Sequence, residues 1–451
     1  MTPTVEKASV GPISGFTDYT PAQHVEITRW KKICEAAFSS FGFTPFEGRP
    51  FELKEFLQNE GGIGHQVYGV YRMADGGLTS YGLPFDHTVP LALYVAQHVY
   101  DLAFPYKRQH IGLVYRGEHA QAGRFRGFIQ ADVDIVDRSL SPLSDAECIL
   151  TLATALKKLE VGPFKISLNH MSIIKALLQE NSVPAEKGAD VLRILDKMDK
   201  LPIPEIMQEI QKVCDKMEPA AVKNLVDTFA FTGDPIAFGR TIQGRSSLLE
   251  EGYKELMEIY NALLASGVPS EELCLNLRII RGLEYYTRII FETHLIGKEQ
   301  IGSIASGGRY CNLIGDLNPR HKDIGGVGGA IGLTRLFDIL VVRANKQLKQ
   351  RTDAELFLGY RENGLQLTAI QLAAQLRAQG VKVDLYTGSK LEVARQLKHA
   401  DKLGIPLVLM VMDKENFFIK RMEIKNDQQD VKTQEEAVSA VLSLRGRVTK
   451  K

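Results

Sequence analysis

Between Ile111 and Ile135 polar and apolar residues alternate with the period of a β-strand, most clearly from Arg124 onward. There Arg124, Arg126, Phe128, Gln130, Asp132 and Asp134 share one face, while Phe125, Ile129, Ala131, Val133 and Ile135 share the other, with Gly127 between. The pattern predicts a hairpin whose turn, Glu118 to Gly123, is polar and flexible enough to move over a ligand. An edge hairpin turned to water would also alternate. This face, however, orders arginines, a ring, an amide and carboxylates along the strand. That order suits a ligand with phosphates at one end, a flat ring in the middle and a cation at the other.

The other segments follow from the same periodicities. Val25, Ile27, Trp30, Ile33, Cys34, Ala37 and Phe38 form a helical stripe over about 23–40, and a Gly/Pro-rich turn follows it. A strand pair is expected over 67–73 and 78–83, a helix over 88–99 capped by Asp86 or Thr88, a helix over 144–159 and a strand over 164–168. From about 184 to 267 β-branched runs give way to helical blocks, a helical insertion in a strand-rich domain. Strand pattern returns in LCLNLRIIRGLEYYTRIIFETHL and GSIASGG, then glycines in DIGGVGGAIGLTRLF lead into a helix. Beyond a polar bridge at 344–353 strands and helices alternate to the end, the pattern of a small α/β domain with a mixed sheet.

Composition narrows the class. At 451 residues the chain is long enough for two or three domains, and 44% hydrophobic with 24% charged residues is ordinary for a soluble globular protein. A net charge of +1 excludes a global basic field, so any polyanion must be held by local patches. Cys34, Cys148, Cys214, Cys274 and Cys311 are scattered without a CxxC pair, which points to a reducing cytoplasm and away from a zinc site. MTPTVEKASV lacks the basic and apolar regions of a targeting signal, and no run reaches the length of a membrane span. A cytoplasmic enzyme or binding protein is expected.

Three further stretches compete with the hairpin for chemistry. RGLEYYTR sets Arg281, Glu284, Tyr285 and Tyr286 in an apolar strand; SGGRYCNL brings Arg309 and Tyr310 behind two glycines; GGVGGAIGLTRL places Arg335 near a helix N-terminus but lacks a phosphate-loop ending. Alone, each has a structural explanation: a core strand, a β-turn and helix-to-sheet packing. LPFDHTVP is equally well explained by helix capping.

In combination these motifs, in the order LPFDHTVP, VYRGEHAQAGRFRGFIQADVDI, RGLEYYTR, SGGRYCNL and GGAIGLTRL, resemble the class II aminoacyl-tRNA synthetases, and RGLEYY with GGRY is similar to the histidyl-tRNA synthetases. GFTDYTPAQ resembles that family's opening segment and QLKHADKLGIP its anticodon-binding module. The resemblance implies an α+β fold: a class II antiparallel sheet flanked by helices over 1–343, with a helical insertion over 184–267 and an α/β anticodon-binding domain over 344–451. It implies histidine, ATP with Mg²⁺, and tRNA(His) as substrates and partners, and a homodimer formed through the first helix and the segment around Pro50. By residue, Arg116 and Arg281 would be catalytic; Arg116, Glu118, Arg124, Phe128 and Arg335 would bind ATP. Asp86, Thr88, Gln130, Asp134, Arg281, Tyr285, Tyr286 and Tyr310 would bind histidine. Pro84, Glu284 and Cys311 stand where the family usually has arginine, aspartate and aspartate. A paralogue that senses histidine, like the regulatory subunit of ATP phosphoribosyltransferase, or a ligase with a non-tRNA acceptor, are the competing readings.

Overall fold

The computed structural model describes residues 11–58, 66–75, 77, 80–120, 123–280, 285–424 and 427–448. These fall into two compact units, one drawn from 1–17 and 31–344, the other from 18–30 and 345–451. Helix α1 (Pro21–Ser39) realises the first apolar stripe, burying Ile27, Trp30, Cys34, Ala37 and Phe38.

In the first unit a nine-stranded sheet is built from β1 (Thr44–Pro45), β2 (Tyr106–Tyr115), β3 (Gly127–Asp137), β4 (Phe164–His170), β5 (Thr232–Gly233), β6 (Leu273–Asn276), β7 (Ile289–Leu295), β8 (Ala305–Tyr310) and β9 (Gly325–Gly332). Its spatial order is β1-β2-β3-β9-β8-β7-β4-β6-β5. All pairs are antiparallel except β1 with β2 and β4 with β6. The hairpin β2–β3 is therefore interior to the sheet, not an edge. It also starts five residues earlier than the alternation suggested, at Tyr106.

Both faces of the hairpin are covered at one end, because α2 (Thr88–His98) and α3 (Pro142–Lys158) lie on opposite sides. Leu91, Ala92 and Val95 of α2 pack with Val136 and Tyr310 over the polar face. On the apolar face Ala131, Val133 and Ile135 are buried, with Cys148 and Leu152 of α3 beside them. Each fully buried Val, Ile or Leu contributes roughly 1.5–3 kcal/mol. Asp86 caps α2: its Oδ1 accepts the backbone N–H groups of Thr88 and Val89, both at 3.1 Å.

The segment expected as a helical insertion contains α5 (Gly188–Leu195), α6 (Ile203–Val213), α7 (Pro219–Phe229), α8 (Pro235–Thr241) and α9 (Ser247–Ala265), following α4 (Met171–Glu180). It is not purely helical, since β5 lies within it and joins the edge of the large sheet. Gly252 lets α9 approach the start of α4: a Cβ there would stand 2.9 Å from Ser172 Cβ. A three-stranded sheet of Glu52–Leu53, Gly69–Val70 and Tyr81–Gly82 replaces the longer strand pair expected over 67–83.

DIGGVGGAIGLTRLF is mostly strand β9. Only Leu333–Phe337 (α10) is α-helical, followed by a π-helical turn Asp338–Val342.

The second unit contains a mixed five-stranded sheet of β10 (Leu356–Tyr360), β11 (Val383–Leu385), β12 (Leu407–Val411), β13 (Phe417–Arg421) and β14 (Gln428–Val431), ordered β11-β10-β12-β13-β14. Helices α11 (Gln366–Ala378) and α13 (Gln434–Val448) bury Leu372, Leu376 and Val441 against Leu356 and Leu409. Helix α12 (Val393–Leu403) and the segment after it bury Ala400 and Ile405 with Phe357, Val408 and Met410. The alternation along these strands assigns each residue to one of two helical layers. Strand β14, QQDV, has no apolar alternation and was not expected.

Candidate active site

The polar row of the hairpin becomes one wall of a trough. Phe128, Gln130, Asp132 and Asp134 of β3 have Gly332, Ala330 and Gly328 of β9 opposite the last three, and Gly326 opposite Val136. One side of that row therefore carries almost no side chains, and the room is taken by neighbours that lean across. A Cβ on Gly328 would lie 2.0 Å from Asp134 Oδ1; on Gly326, 2.3 Å from the Tyr310 ring; on Gly308, 2.9 Å from the Tyr286 ring. Gly326 and Gly328 thus make room for Tyr310 and Asp134 on the polar face, while Gly329 faces α3, where a Cβ would stand 2.7 Å from Leu152, so helix-to-sheet packing accounts for part of this stretch and the polar row for the rest.

The deep end is a network around Asp134. Tyr310 donates its hydroxyl to Asp134 Oδ1 at 2.8 Å, and Arg108 Nη2 lies 2.7 Å from Oδ2. Tyr285 donates to Asp86 Oδ2 at 3.0 Å, so Asp86 serves the helix cap with one oxygen and the aromatic cluster with the other. The rings of Tyr285, Tyr286 and Tyr310 stand edge to face, 4.9 and 5.8 Å between centroids. Burial drives the Asp134 carboxyl up to about 7, against the opposing pull of Arg108 and the Tyr310 hydrogen bond. Burial and the adjacent carboxylates push the Tyr286 hydroxyl well above its usual range, so it stays a neutral donor or acceptor. Gln130 keeps a buried Oε1 without a partner among the described residues.

The other end is cationic. The Arg116 guanidinium lies 4.4 Å from the Phe85 ring centroid and 5.1 Å from that of Phe128, with Nε donating to Phe85 O at 3.3 Å. Arg335 donates to Gly123 O at 2.9 Å and to Ser303 O at 2.7 Å, which ties α10 to the end of the hairpin turn. Burial, then the charges of Arg124 and Arg116, depress its pKa, a sign that like charges have been gathered. Arg124 is 3.6 Å from Glu118 and remains half exposed. Such a set, partly desolvated and held by backbone carbonyls, is suited to an oligophosphate.

Thus Asp86, Thr88, Arg116, Glu118, Arg124, Phe128, Gln130, Asp134, Tyr285, Tyr286, Tyr310 and Arg335 all fall on the hairpin, the elements paired with it or the segments beside it. Arg281 and Glu284 lie outside the described residues, as do 121 and 122 of the hairpin turn. Arg108, His110 and His87 were missed. Extending the alternation back from Ile111 to Tyr106 would have found the first two, since Arg108 pairs with Asp134 and His110 with Asp132. His87, whose Nδ1 is 2.9 Å from Asp132 Oδ2, had no signal beyond its place beside Asp86. Arg309, in the GGRY motif, faces away from the trough. Its Nε donates to Asp145 Oδ1 at 2.9 Å and its Nη1 and Nη2 to Leu140 O and Ser141 O, which anchors the start of α3.

Among the described residues no group of three or more His, Cys, Asp or Glu could by itself hold a metal ion, and no helix is long and apolar enough to cross a membrane.

The chain is similar to known proteins along nearly its whole length. A family model for histidyl-tRNA synthetase matches residues 15–336, and one for an anticodon binding domain matches 341–444. The histidine–tRNA ligase of Rhodopirellula baltica is 34% identical over 88% of this chain and 89% of its own length; that of Clostridium tetani is 32% identical over 98% and 99%. The crystal structure of histidyl-tRNA synthetase from Nostoc sp. PCC 7120 superposes with a TM-score of 0.83 at 28% identity, over 97% of this chain and 100% of that one. A Bacillus halodurans ATP phosphoribosyltransferase regulatory subunit/histidyl-tRNA synthetase shares the fold, with a TM-score of 0.72 at 20% identity. By its motifs, its trough and these similarities, the chain belongs to the histidyl-tRNA synthetase family.

Proposed function

We propose that this chain is a histidine–tRNA ligase: it joins the histidine carboxylate to the α-phosphate of ATP, releasing pyrophosphate, and passes the histidyl group to the 3′-terminal ribose of tRNA(His). The observation that carries this reading is the polarity of the trough, with the buried Asp134–Tyr310 pair at one end and Arg116 and Arg335 at the other. Phe128 and Gln130 lie between.

In this reading Asp134 and Tyr286 receive the two imidazole nitrogens. Asp86, Thr88 and Gln130 take the ammonium group, and Tyr285 and Tyr310 line the pocket. The unpartnered Gln130 Oε1 supports its part, because a buried acceptor without a donor is costly until a ligand supplies one. Arg116 holds the α-phosphate and Phe128 stacks on adenine, where Arg116 now lies over the Phe128 ring. Glu118 accepts from the adenine amino group, and Arg124 and Arg335 hold the outer phosphates. Arg281 bridges carboxylate and α-phosphate. No general base is needed, since the nucleophile is already a carboxylate. The barrier is the approach of two anions, which fixed cations lower by positioning and by stabilising charge at phosphorus. Mg²⁺ would arrive on the ATP phosphates, a pattern that asks for few protein ligands.

A pocket that bonds both imidazole nitrogens leaves its own groups unpaired with any other amino acid, which gives discrimination of about 10⁴ to 10⁵ without editing. The reading also assigns 1–343 to catalysis, with 184–267 as its insertion, and 344–451 to the anticodon. It makes the enzyme a cytoplasmic homodimer, and a monomer in sedimentation would contradict that. Pyrophosphate exchange into ATP, tested with each amino acid, should respond to histidine alone, and purified tRNA(His) should then be charged. Exchange without charging would leave an activating enzyme with another acceptor; no exchange would remove the function.

A further inference from the structure

Behind the polar row of β3 stands a second one on β2. Arg108 and His110 are opposite Asp134 and Asp132, and His87 reaches Asp132 from the entry to α2. Arg108 has no exposed surface. Its Nη2 serves Asp134 Oδ2 at 2.7 Å and His87 O at 3.0 Å, while Nε and Nη1 have no acceptor among the described residues. A buried cation with two idle donors is a poor way to fill space, since desolvation costs more than an aliphatic side chain in the same volume would. Its place in the fold is therefore better explained by what it does to Asp134.

We propose that Arg108 is a positioning residue for histidine recognition: bonded to Asp134 through Oδ2, it favours the ionised carboxylate and holds it in one orientation, ready to accept an imidazole N–H. This rests on the reading that Asp134 contacts the imidazole. A carboxylate has about four lone-pair directions. Tyr310 takes one on Oδ1 and Arg108 one on Oδ2, which leaves acceptor capacity for the ligand.

The groups facing Asp134 make Arg108 the decisive one. Asp132 on its own strand and Asp86 before α2 add to burial in raising the Asp134 pKa, while Arg108 and the Tyr310 hydrogen bond oppose it. Tyr286 and, from α3, Cys148 are also near, and both are held neutral by burial. His87 is engaged with Asp132. Burial and the neighbouring His87 and Arg108 charges hold the His110 pKa down at about 3, so it supplies no cation. Without Arg108 the Asp134 carboxyl protonates at higher pH. Histidine affinity that depends on the anion is then lost from a higher pH downward.

The test is pyrophosphate exchange as a function of pH in Arg108→Met, Arg108→Lys and Asp134→Asn. Arg108→Met should raise the histidine KM by about thirtyfold or more at pH 7 and leave the ATP KM within about twofold, the scale of truncating one member of a buried charge pair. Its acid limb of kcat/KM for histidine should move alkaline by about one pH unit or more. Titration of free histidine is common to all the enzymes and cancels in the comparison. Arg108→Lys keeps the cation and should leave the limb in place, even where its KM rises. An unmoved limb in Arg108→Met, or equal losses toward ATP and histidine, would overturn the proposal in favour of a structural role. Should Arg108→Met fail to fold by circular dichroism, Arg108→Lys decides alone, and a limb that moves despite the retained charge overturns it. Asp134→Asn separates the two levels: an unchanged histidine KM there removes the pocket reading itself, whereas a large effect beside an unmoved Arg108→Met limb removes only the role of Arg108.

Discussion

At the scale of single residues the trough depends on absent side chains as much as on present ones. Gly328 has Asp134 Oδ1 where a methyl group would sit, 2.0 Å from the Cβ position, and the carboxylate is tied on both sides to Tyr310 and Arg108. Gly328→Ala should therefore push Asp134 out of that network and raise the histidine KM in pyrophosphate exchange by about tenfold or more, with the ATP KM unchanged. Tyr310→Phe removes a hydrogen bond to a charged group without opening a cavity. The expected cost is about 1.5–3 kcal/mol of histidine affinity, on the order of ten- to a hundredfold, measured by equilibrium binding. Tyr310→Phe binding that equals the parent would mean that Asp134 is satisfied by other donors.

At the scale of elements, charged contacts attach α9 to the large sheet. Glu255 on α9 lies 2.6 Å from Arg288 and 3.3 Å from His170 Nε2, at the ends of β7 and β4. Burial works against its ionised form, but the His170 and Arg288 contacts outweigh it and bring the carboxyl down from 4.5 to about 2. A depressed carboxylate pKa adds stability that is complete above the unfolded value and disappears as pH falls through the folded one. Glu255→Gln should therefore unfold more easily at pH 7, by about 1.5–3 kcal/mol, with the gap to the parent closing as pH falls from 4.5 toward 2. Chemical denaturation across that range measures it, and a gap independent of pH would assign the effect to packing instead. The elements also explain which sequence expectations held. Helices α2 and α3 appear where apolar spacing placed them, to within two residues at each end, because a buried stripe is a local property. Strand β9 was mistaken for the approach to a helix because glycine has no side chain with which to show alternation.

At the scale of the whole molecule, the net charge of +1 requires any polyanion to meet a local patch. One lies in the second unit, where Arg395, Lys398, His399 and Lys402 of α12 and Tyr386 and Asp384 at the end of β11 line an open groove. Cations beside an aromatic ring suit unpaired nucleotides. Lys398→Glu with Lys402→Glu should raise the tRNA KM for charging by about tenfold or more and flatten its salt dependence. Exchange of pyrophosphate with histidine should be unaffected. Loss of both activities together would show that the substitutions damage the protein as a whole.

Alternation along 124–135, the helical stripes and the change of character near 184 were readable from the chain itself, because each depends on residues close together in sequence. Together with the family resemblance that the order of the motifs carries, they indicated the fold class and most of the residues around the trough. What only the tertiary structure decided is which residues stand beside them. Arg108 faces Asp134 across 26 positions and Gly328 does so across 194, and neither relation leaves a local trace. Register between strands is set by packing on both faces of the sheet. The orientation of Asp134, with an arginine behind it and an empty glycine position at its side, is a property of three strands together.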